Sequence, residues 1–155
     1  VGIYKFNGGF IFNEVCHQKG LSNKQIADIF DNQPPALVIA DSAEPKSIDE
    51  IKSYNINILP AIKGQGSVSQ GIQFVQDQRC SITKRSLNII KSYRNYMWMT
   101  DKDGKIVNEP DHLYSDAMDA IRYGLSSYEP LDDSLTEQIE RNRALVAQKK
   151  ADYGG

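Results

Sequence analysis

Three aspartates occupy positions from which their carboxylates could act together on a metal ion. Asp41 directly follows the apolar run at residues 36–40, and a carboxylate just after a buried strand lies at the sheet edge where α/β folds bind ligands. Asp116 and Asp119 are three residues apart, so on a helix they project from the same side. Converging carboxylates are the hard oxygen ligands that Mg²⁺ or Mn²⁺ requires, and two such ions can stabilise both reacting oxygens of a phosphodiester.

Each of these carboxylates also has a simpler interpretation. Asp41 could only cap the helix that follows it, although Ser42 and Glu44 are rivals for that place. Asp116 and Asp119 could be solvated residues on the polar side of their helix, which is the more common position for an acidic pair. The spacing alone therefore leaves a metal site and a structural role both open.

Basic residues lie where they could contact the phosphates of a nucleic acid. Lys63 follows a predicted strand in a loop with Gly64 and Gly66, and glycine permits close approach of a ligand to the backbone. Lys84 and Arg85 belong to a loose basic cluster that could follow a DNA backbone. The alternatives are an ordinary surface lysine at position 63 and a solvated helix face for the cluster.

The elements that must position these side chains alternate between strands and helices. Two β-rich runs flank Asn7-Gly8-Gly9 and predict a hairpin. Further predicted strands cover residues 36–40, 56–62, 79–82, 93–99 and 105–107, and predicted helices begin near residues 22, 45, 67, 83 and 112, with Ser22, Ser67 and Thr83 as N-caps. The apolar run at 36–40 is typical of a strand buried on both faces.

The fold class follows from this alternation. Strands alternating with helices imply parallel pairing, and the opening hairpin adds antiparallel strands. We therefore predict an α/β fold, with a mixed β-sheet flanked by helices on both faces. The capping-box pattern at residues 134–137 predicts a last, mostly polar helix at residues 135–150. We expect one domain over residues 1–127, then a linker and peripheral helix over residues 128–155.

Length and composition limit the functional classes. The 155 residues suit one domain with a real hydrophobic core. The net charge of -2 gives no overall basic field, so DNA binding would rest on local patches or metal ions. Cys16 and Cys80 lack CxxC spacing, which argues against a zinc ribbon or a disulfide scaffold and favours a reducing compartment. No apolar run approaches the roughly 20 residues of a membrane span.

Three motifs, in this order, resemble the C-terminal nuclease domain of phage terminase large subunits. Residues 41–47 look like its second acidic motif, DSAEPKS in this chain. Residues 63–72 look like the loop and helix that follow, and residues 116–125 look like its closing helix, DAMDAIRYGL in this chain. Each motif alone is weak, but the combination is specific and covers roughly residues 1–127.

The resemblance implies an RNase H-like fold and an endonuclease that cuts concatemeric viral DNA during packaging, using two Mg²⁺ or Mn²⁺ ions. Asp41 and Asp119 would be metal ligands. Asp116 matches a position that is often His in relatives, and it would bind the second metal or shape the field around it. The implied partners are double-stranded DNA, the terminase small subunit and the portal, in the cytoplasm of the bacterial host.

Two parts of the family pattern are missing from this sequence. Relatives carry another catalytic Asp on a strand just ahead of the hairpin and an ATPase half with Walker motifs, whereas this chain starts at Val1 and contains no GxxxxGK[ST]. We expect both upstream in the same polypeptide. Two other functions stay open, namely a non-catalytic docking module of the packaging motor, which the polar last helix suits, and another RNase H-like enzyme such as a resolvase or transposase.

Overall fold

Strands and helices alternate along the chain as the sequence pattern predicts. A computed structural model describes residues 1–64, 66–96, 98–100, 102–110 and 114–127. Within these ranges the strands are β1 (Gly2–Phe6), β2 (Gly9–Asn13), β3 (Val38–Ala40), β4 (Ile58–Pro60), β5 (Cys80–Ile82), β6 (Trp98–Thr100) and β7 (Ile106–Pro110). The helices are α1 (Asn23–Asp31), α2 (Pro45–Ser53), α3 (Ser67–Gln76), α4 (Leu87–Asn95) and α5 (Asp116–Ser126). The predicted helix at residues 135–150 lies outside the described residues.

The opening hairpin forms at the turn that the sequence predicts. Asn7 and Gly8 both have positive φ angles, 46° and 73°, which is the backbone of the two-residue turn that matches the twist of a hairpin. β1 therefore pairs with β2 in antiparallel register, with Phe6 opposite Gly9. β5 then adds to the other edge of β2 in parallel, so the three strands form a mixed sheet.

The other described strands form two separate ladders beside this sheet. β3 pairs with β4 in parallel, and β6 pairs with β7 in antiparallel register. β3 is shorter than predicted and only partly buried, and Leu37 just before it is 50% exposed. A strand forms here as predicted, but the expectation that it is buried on both faces is wrong. Among the described residues β3 pairs with β4 alone.

Two clusters of apolar side chains hold the layers together. The first joins the mixed sheet to α4 and α5, and its buried members are Phe10, Phe12, Ile89, Ala117, Ile121 and Leu125. The second joins β4 to α1 and α2, and its buried members are Ala27, Ile48, Ile51 and Ile58. α5 also packs on β3 and on α3, so this helix links the two halves of the α/β fold. None of the described helices is long and apolar enough to cross a membrane.

Several element boundaries differ from those predicted. Ser22 forms the expected capping box with Gln25 at the start of α1, but α3 is capped at Gly66 in a left-handed conformation, one residue before Ser67. α4 begins four residues after Thr83 and runs to Asn95, so the strand predicted from residue 93 starts at residue 98. α5 begins at Asp116, and residue 112 lies outside the described part.

The start of α4 is held by a side chain that is distant in sequence. Glu14, just after β2, accepts hydrogen bonds from the backbone amides of Asn88 and Ile89 at 2.9 and 3.2 Å and from the Asn88 side chain at 2.7 Å. The backbone amide of Glu14 donates to the fully buried Ser86 hydroxyl at 2.8 Å. Because the first amides of a helix have no partner within it, Glu14 takes the place of the local cap that Thr83 was expected to supply.

Glu14→Ala should destabilise the fold by about 1 kcal/mol, the usual effect of losing a helix cap. Although desolvation acts in the opposite direction, the bonds from Asn88 and Ile89 hold the pKa of Glu14 below its ordinary value of 4.5. A carboxylate whose pKa is lowered on folding stabilises the protein at pH values above its ordinary pKa. This stabilisation disappears as the pH falls through the lowered pKa. The difference in unfolding free energy between the wild type and Glu14→Ala should therefore shrink on acidification.

Urea unfolding at a series of pH values measures this difference. Glu50→Ala is the matched control, because Glu50 is an exposed glutamate on α2 that accepts a side-chain hydrogen bond from Asn23 and caps no helix. An effect of Glu14→Ala that is as small as that of the control at neutral pH would contradict the capping role.

Candidate metal centre

Asp41 lies directly after β3 and is held by three hydrogen bonds. Its Oδ1 accepts from the Ala43 backbone amide at 2.9 Å and from Lys63 Nζ at 2.5 Å. Its Oδ2 accepts from the Tyr123 hydroxyl at 3.3 Å. The N-cap position of α2 is occupied by Glu44, so Asp41 does not cap the next helix. The carboxylate instead joins the ends of two strands to α5.

Tyr123 connects the side chains around Asp41. Lys63 follows β4, which runs parallel to β3, so the residues after both strands lie at the same sheet edge. Lys63 Nζ is 5.2 Å from the centroid of the Tyr123 ring, and the Arg122 guanidinium carbon is 4.5 Å from it. Both distances are within the range of a cation–π interaction. Tyr123 therefore contacts the two cations and one of the carboxylates.

Asp119 is paired with Arg122 on the next turn of α5. Arg122 donates to Asp119 Oδ1 at 2.8 Å, and the two side chains are 8% and 23% exposed respectively. The Nε of Arg122 is buried with no hydrogen-bond partner in the described part of the chain. Gly71 of α3 makes room for this side chain, since a Cβ at position 71 would lie 2.7 Å from Arg122 Cγ. The second candidate ligand is thus held by a buried cation.

Hydrogen bonds, charges and burial shift the pKa values of several side chains at the site. Partial burial works to raise the pKa of Asp41, but the hydrogen bonds from Lys63 and Ala43 hold it below its ordinary value. The bond to Asp41 raises the pKa of Lys63. Burial, together with the negative charge of Asp119, raises the pKa of the Tyr96 hydroxyl. Asp41 is therefore ionised at neutral pH with Lys63 as its counter-charge.

The other residues that the sequence singled out lie elsewhere. Asp116 is exposed at the start of α5 and lines a cleft of about 250 Å³ with Glu14 and His17. Lys84 and Arg85 are exposed on the turn before α4, and Arg85 Nε donates to Asn13 Oδ1 at 2.8 Å. In the described ranges no hydrogen bond or ion pair joins any of these three to Asp41. Of the predicted site residues, the structure brings together Asp41, Lys63 and, through Tyr123 and Arg122, Asp119.

The donor chemistry of this arrangement fits a hard divalent cation. Carboxylate oxygens are its preferred ligands, and Mg²⁺ usually takes one or two of them and completes its shell with water and phosphate oxygens. No group of three or more His, Cys, Asp or Glu side chains is close enough to hold a metal ion among the described residues. Asp41 and Asp119 would therefore supply only part of a coordination shell.

The sequence pattern does not single out Arg122 and Tyr123, the side chains that contact the two carboxylates of the site. Arg122 follows Asp119 by three positions, which is a spacing that pairs opposite charges on a helix, so this partner was available from the sequence. Tyr123 carried no comparable signal, because its contacts depend on where α5 packs.

Comparisons with known proteins show which family the chain resembles. Residues 7–127 match the family model described as the terminase RNase H-like domain. The chain is 33% identical over 120 residues to the large terminase subunit of Bacillus phage SPP1 and 30% identical over 110 residues to the PBSX phage terminase large subunit of Bacillus subtilis (strain 168). These alignments cover 74% and 69% of this chain but 28% and 25% of the relatives, so the chain spans about a quarter of their length.

One solved structure is similar to the chain in sequence and in fold. It is the nuclease domain of the large terminase of bacteriophage SPP1 with bound Mn, with 33% identity and a TM-score of 0.61. The match covers 68% of this chain and 63% of that one. The similarity confirms the predicted RNase H-like α/β fold.

Arg122→Met should lower the free energy of unfolding by about 1–3 kcal/mol, because it leaves a mostly buried carboxylate without its charged partner. Adding Asp119→Asn to this variant should recover part of the loss, since a neutral amide costs less to bury than a carboxylate. Chemical denaturation of the two variants and the wild type measures both effects. Arg94→Met, which changes an exposed arginine on α4, is the control and should be nearly neutral. An Arg122→Met protein as stable as the wild type would contradict a stabilising pair.

Proposed function

The chain belongs to the terminase RNase H-like domain family, and on this premise we propose that it is the metal-dependent endonuclease domain of a phage DNA-packaging terminase large subunit. Its substrate would be concatemeric double-stranded viral DNA in the cytoplasm of the bacterial host. The terminase small subunit and the portal would be its partners in packaging. The SPP1 relative, whose nuclease domain contains bound Mn, supports divalent metal use.

One observation carries the proposal for this chain. The hydroxyl of Tyr123 on α5 contacts Asp41 at the end of β3, across 82 positions of sequence. This contact places the helix that carries Asp119 at the strand end that carries Asp41. Asp119 lies one turn before Tyr123 on the same helix, and this supports a shared site for the two carboxylates at the strand ends where α/β folds bind ligands.

The carboxylates have the roles of metal ligands in this proposal. Asp41 and Asp119 would hold two Mg²⁺ or Mn²⁺ ions, together with an Asp from a strand upstream of the hairpin, and Asp116 would bind the second ion or shape the field around it. Such ions, when bound, lower the pKa of water and stabilise charge on the attacking and leaving oxygens of a phosphodiester. The ATPase domain would lie upstream in the same polypeptide.

The basic residues act on the DNA backbone. Lys63 lies at the strand end beside Asp41 and would meet the phosphate nearest to the reaction. Lys84 and Arg85 would contact phosphates further along the duplex. Contacts to phosphates position a protein on DNA without reading its bases, so we expect low sequence specificity in the cleavage itself.

The test is Mn²⁺-dependent nicking of supercoiled plasmid by the full-length protein. Asp41→Asn and Asp119→Asn keep the shape of each side chain and remove its charge. Each should reduce nicking by more than about 100-fold, because losing a residue that only supports a metal ligand already costs about 10- to 100-fold. Circular dichroism and thermal unfolding verify that both variants are folded.

Asp28→Asn is the matched control, since Asp28 is also an exposed aspartate paired with a lysine, on α1. It should cut as the wild type does. Asp116→Asn tests the remaining role, with a partial loss expected if it binds or steers the second ion. Nicking that survives both Asp41→Asn and Asp119→Asn would overturn the metal-ligand roles of these two carboxylates. A full-length protein that binds Mn²⁺ and DNA but does not nick would instead favour the docking module.

A further inference from the structure

The ammonium of Lys63 occupies one of the two Asp41 oxygens that could bind a metal ion. Asp41 Oδ1 already accepts from the Ala43 amide and from Lys63 Nζ, and a carboxylate oxygen has two lone pairs to offer. The amide of Ala43 belongs to the backbone of the turn, so the lysine is the removable partner. A divalent ion on Oδ2 would also lie close to the ammonium and repel it.

We propose that Lys63 is a mobile counter-charge, paired with Asp41 in the metal-free protein, displaced when a divalent cation binds Asp41, and then free to pair with a phosphate of the DNA. This inference rests on the proposed function, because it requires Asp41 to be a metal ligand. Lys63 would thus have two positions, one paired with Asp41 and one paired with a DNA phosphate. Metal binding would thereby prepare a DNA contact at the same strand end.

The pair is weak enough to be exchanged. The side chains of Lys63 and Asp41 are 41% and 51% exposed, and an ion pair at such exposure changes an equilibrium constant by no more than about fivefold. A divalent ion carries twice the charge of the lysine and takes several oxygen ligands, so it should win this competition.

The structure also leaves room for the displaced side chain. Lys63 lies in the loop after β4, and its side chain is already 41% exposed, so solvent borders it. The aromatic face of Tyr123 is 5.2 Å from Lys63 Nζ, which gives the cation a second favourable surface beside the carboxylate. From there a lysine acts on phosphate as a point charge and needs no fixed geometry.

A second lysine in the same chain provides a matched comparison. Lys24 pairs with Asp28, both side chains are similarly exposed, and Lys24 Nζ is 5.3 Å from the ring of Tyr54. Lys24 and Asp28 lie on α1, and Tyr54 lies at the end of α2. Asp28 belongs to none of the acidic motifs. Lys24→Met therefore removes an equivalent exposed ion pair without touching Asp41.

The first measurement is Mn²⁺ affinity by calorimetric titration of the full-length protein without DNA. Lys63→Met should bind Mn²⁺ about two- to fivefold more tightly than the wild type, because the ion no longer has to displace an ammonium. Lys24→Met should match the wild type. Lys63→Arg, which keeps the positive charge, should stay near the wild-type affinity.

The second measurement is the salt dependence of binding to a short DNA duplex, with and without Ca²⁺ as a metal that supports binding. Each phosphate contact adds about 0.9 to the slope of log affinity against log salt concentration. Without metal, the wild type and Lys63→Met should have equal slopes, since Lys63 is held by Asp41. With Ca²⁺, the slope of the wild type should be steeper than that of Lys63→Met by the amount that one phosphate contact adds. The slope of Lys24→Met should equal that of the wild type.

The outcomes separate this inference from the proposed function. If Asp41→Asn abolishes a Mn²⁺ binding event but Lys63→Met changes neither the affinity nor the metal-dependent slope, the metal site stands and the exchange is refuted. A slope difference between the wild type and Lys63→Met that is the same with and without Ca²⁺ would also refute it, because Lys63 would then contact DNA independently of metal. If Asp41→Asn leaves Mn²⁺ binding unchanged, the proposed metal role of Asp41 fails and the exchange fails with it.

Discussion

Burial of one apolar stripe of α5 fixes the positions of the groups that matter for function. Ala117, Ile121 and Leu125 recur at four-residue intervals and are at most 6% exposed in the core against the mixed sheet. Burying a large aliphatic side chain contributes about 1.5–3 kcal/mol, more than the net contribution of about 0.5–1.5 kcal/mol from a typical hydrogen bond. Packing therefore places the helix, and the bond from Tyr123 to Asp41 follows from that placement.

The same helix is supported from both sides by unusually close contacts. Gly124 leaves space for Ile3 of β1, whose Cδ1 would lie 2.5 Å from a Cβ at position 124, and Gly71 of α3 leaves space for Arg122. Both glycines let neighbouring elements approach α5 more closely than a larger residue would allow. The edge of the site is thus built from the end of β3, the loop after β4 and one face of α5. The hydrogen bonds of Glu14 and Ser86 separately tie β2 to α4 on the other side of the core.

Charge balance at this edge explains how an acidic cluster is stable in the metal-free protein. Each of the two carboxylates has its own cation, Lys63 on Asp41 and Arg122 on Asp119, so little uncompensated negative charge accumulates there. The two cations differ in burial, since Arg122 is held inside the fold while Lys63 is half exposed. One pair is therefore part of the architecture, and the other is accessible to solvent and open to exchange.

The sequence by itself determined the local elements and the identity of the acidic motifs. Turn residues predicted the hairpin at Asn7 and Gly8, helical spacing predicted a helix beginning near residue 112, and the order of three motifs indicated the family. Each of these signals is contained in a few neighbouring residues. Tertiary structure alone decided that Glu14 caps α4, that Lys63 pairs with Asp41 and that Tyr123 joins them. These partners are 22 to 82 positions apart, and the choice among many exposed lysines, glutamates and tyrosines depends on how strand ends and helices pack, which no local periodicity specifies.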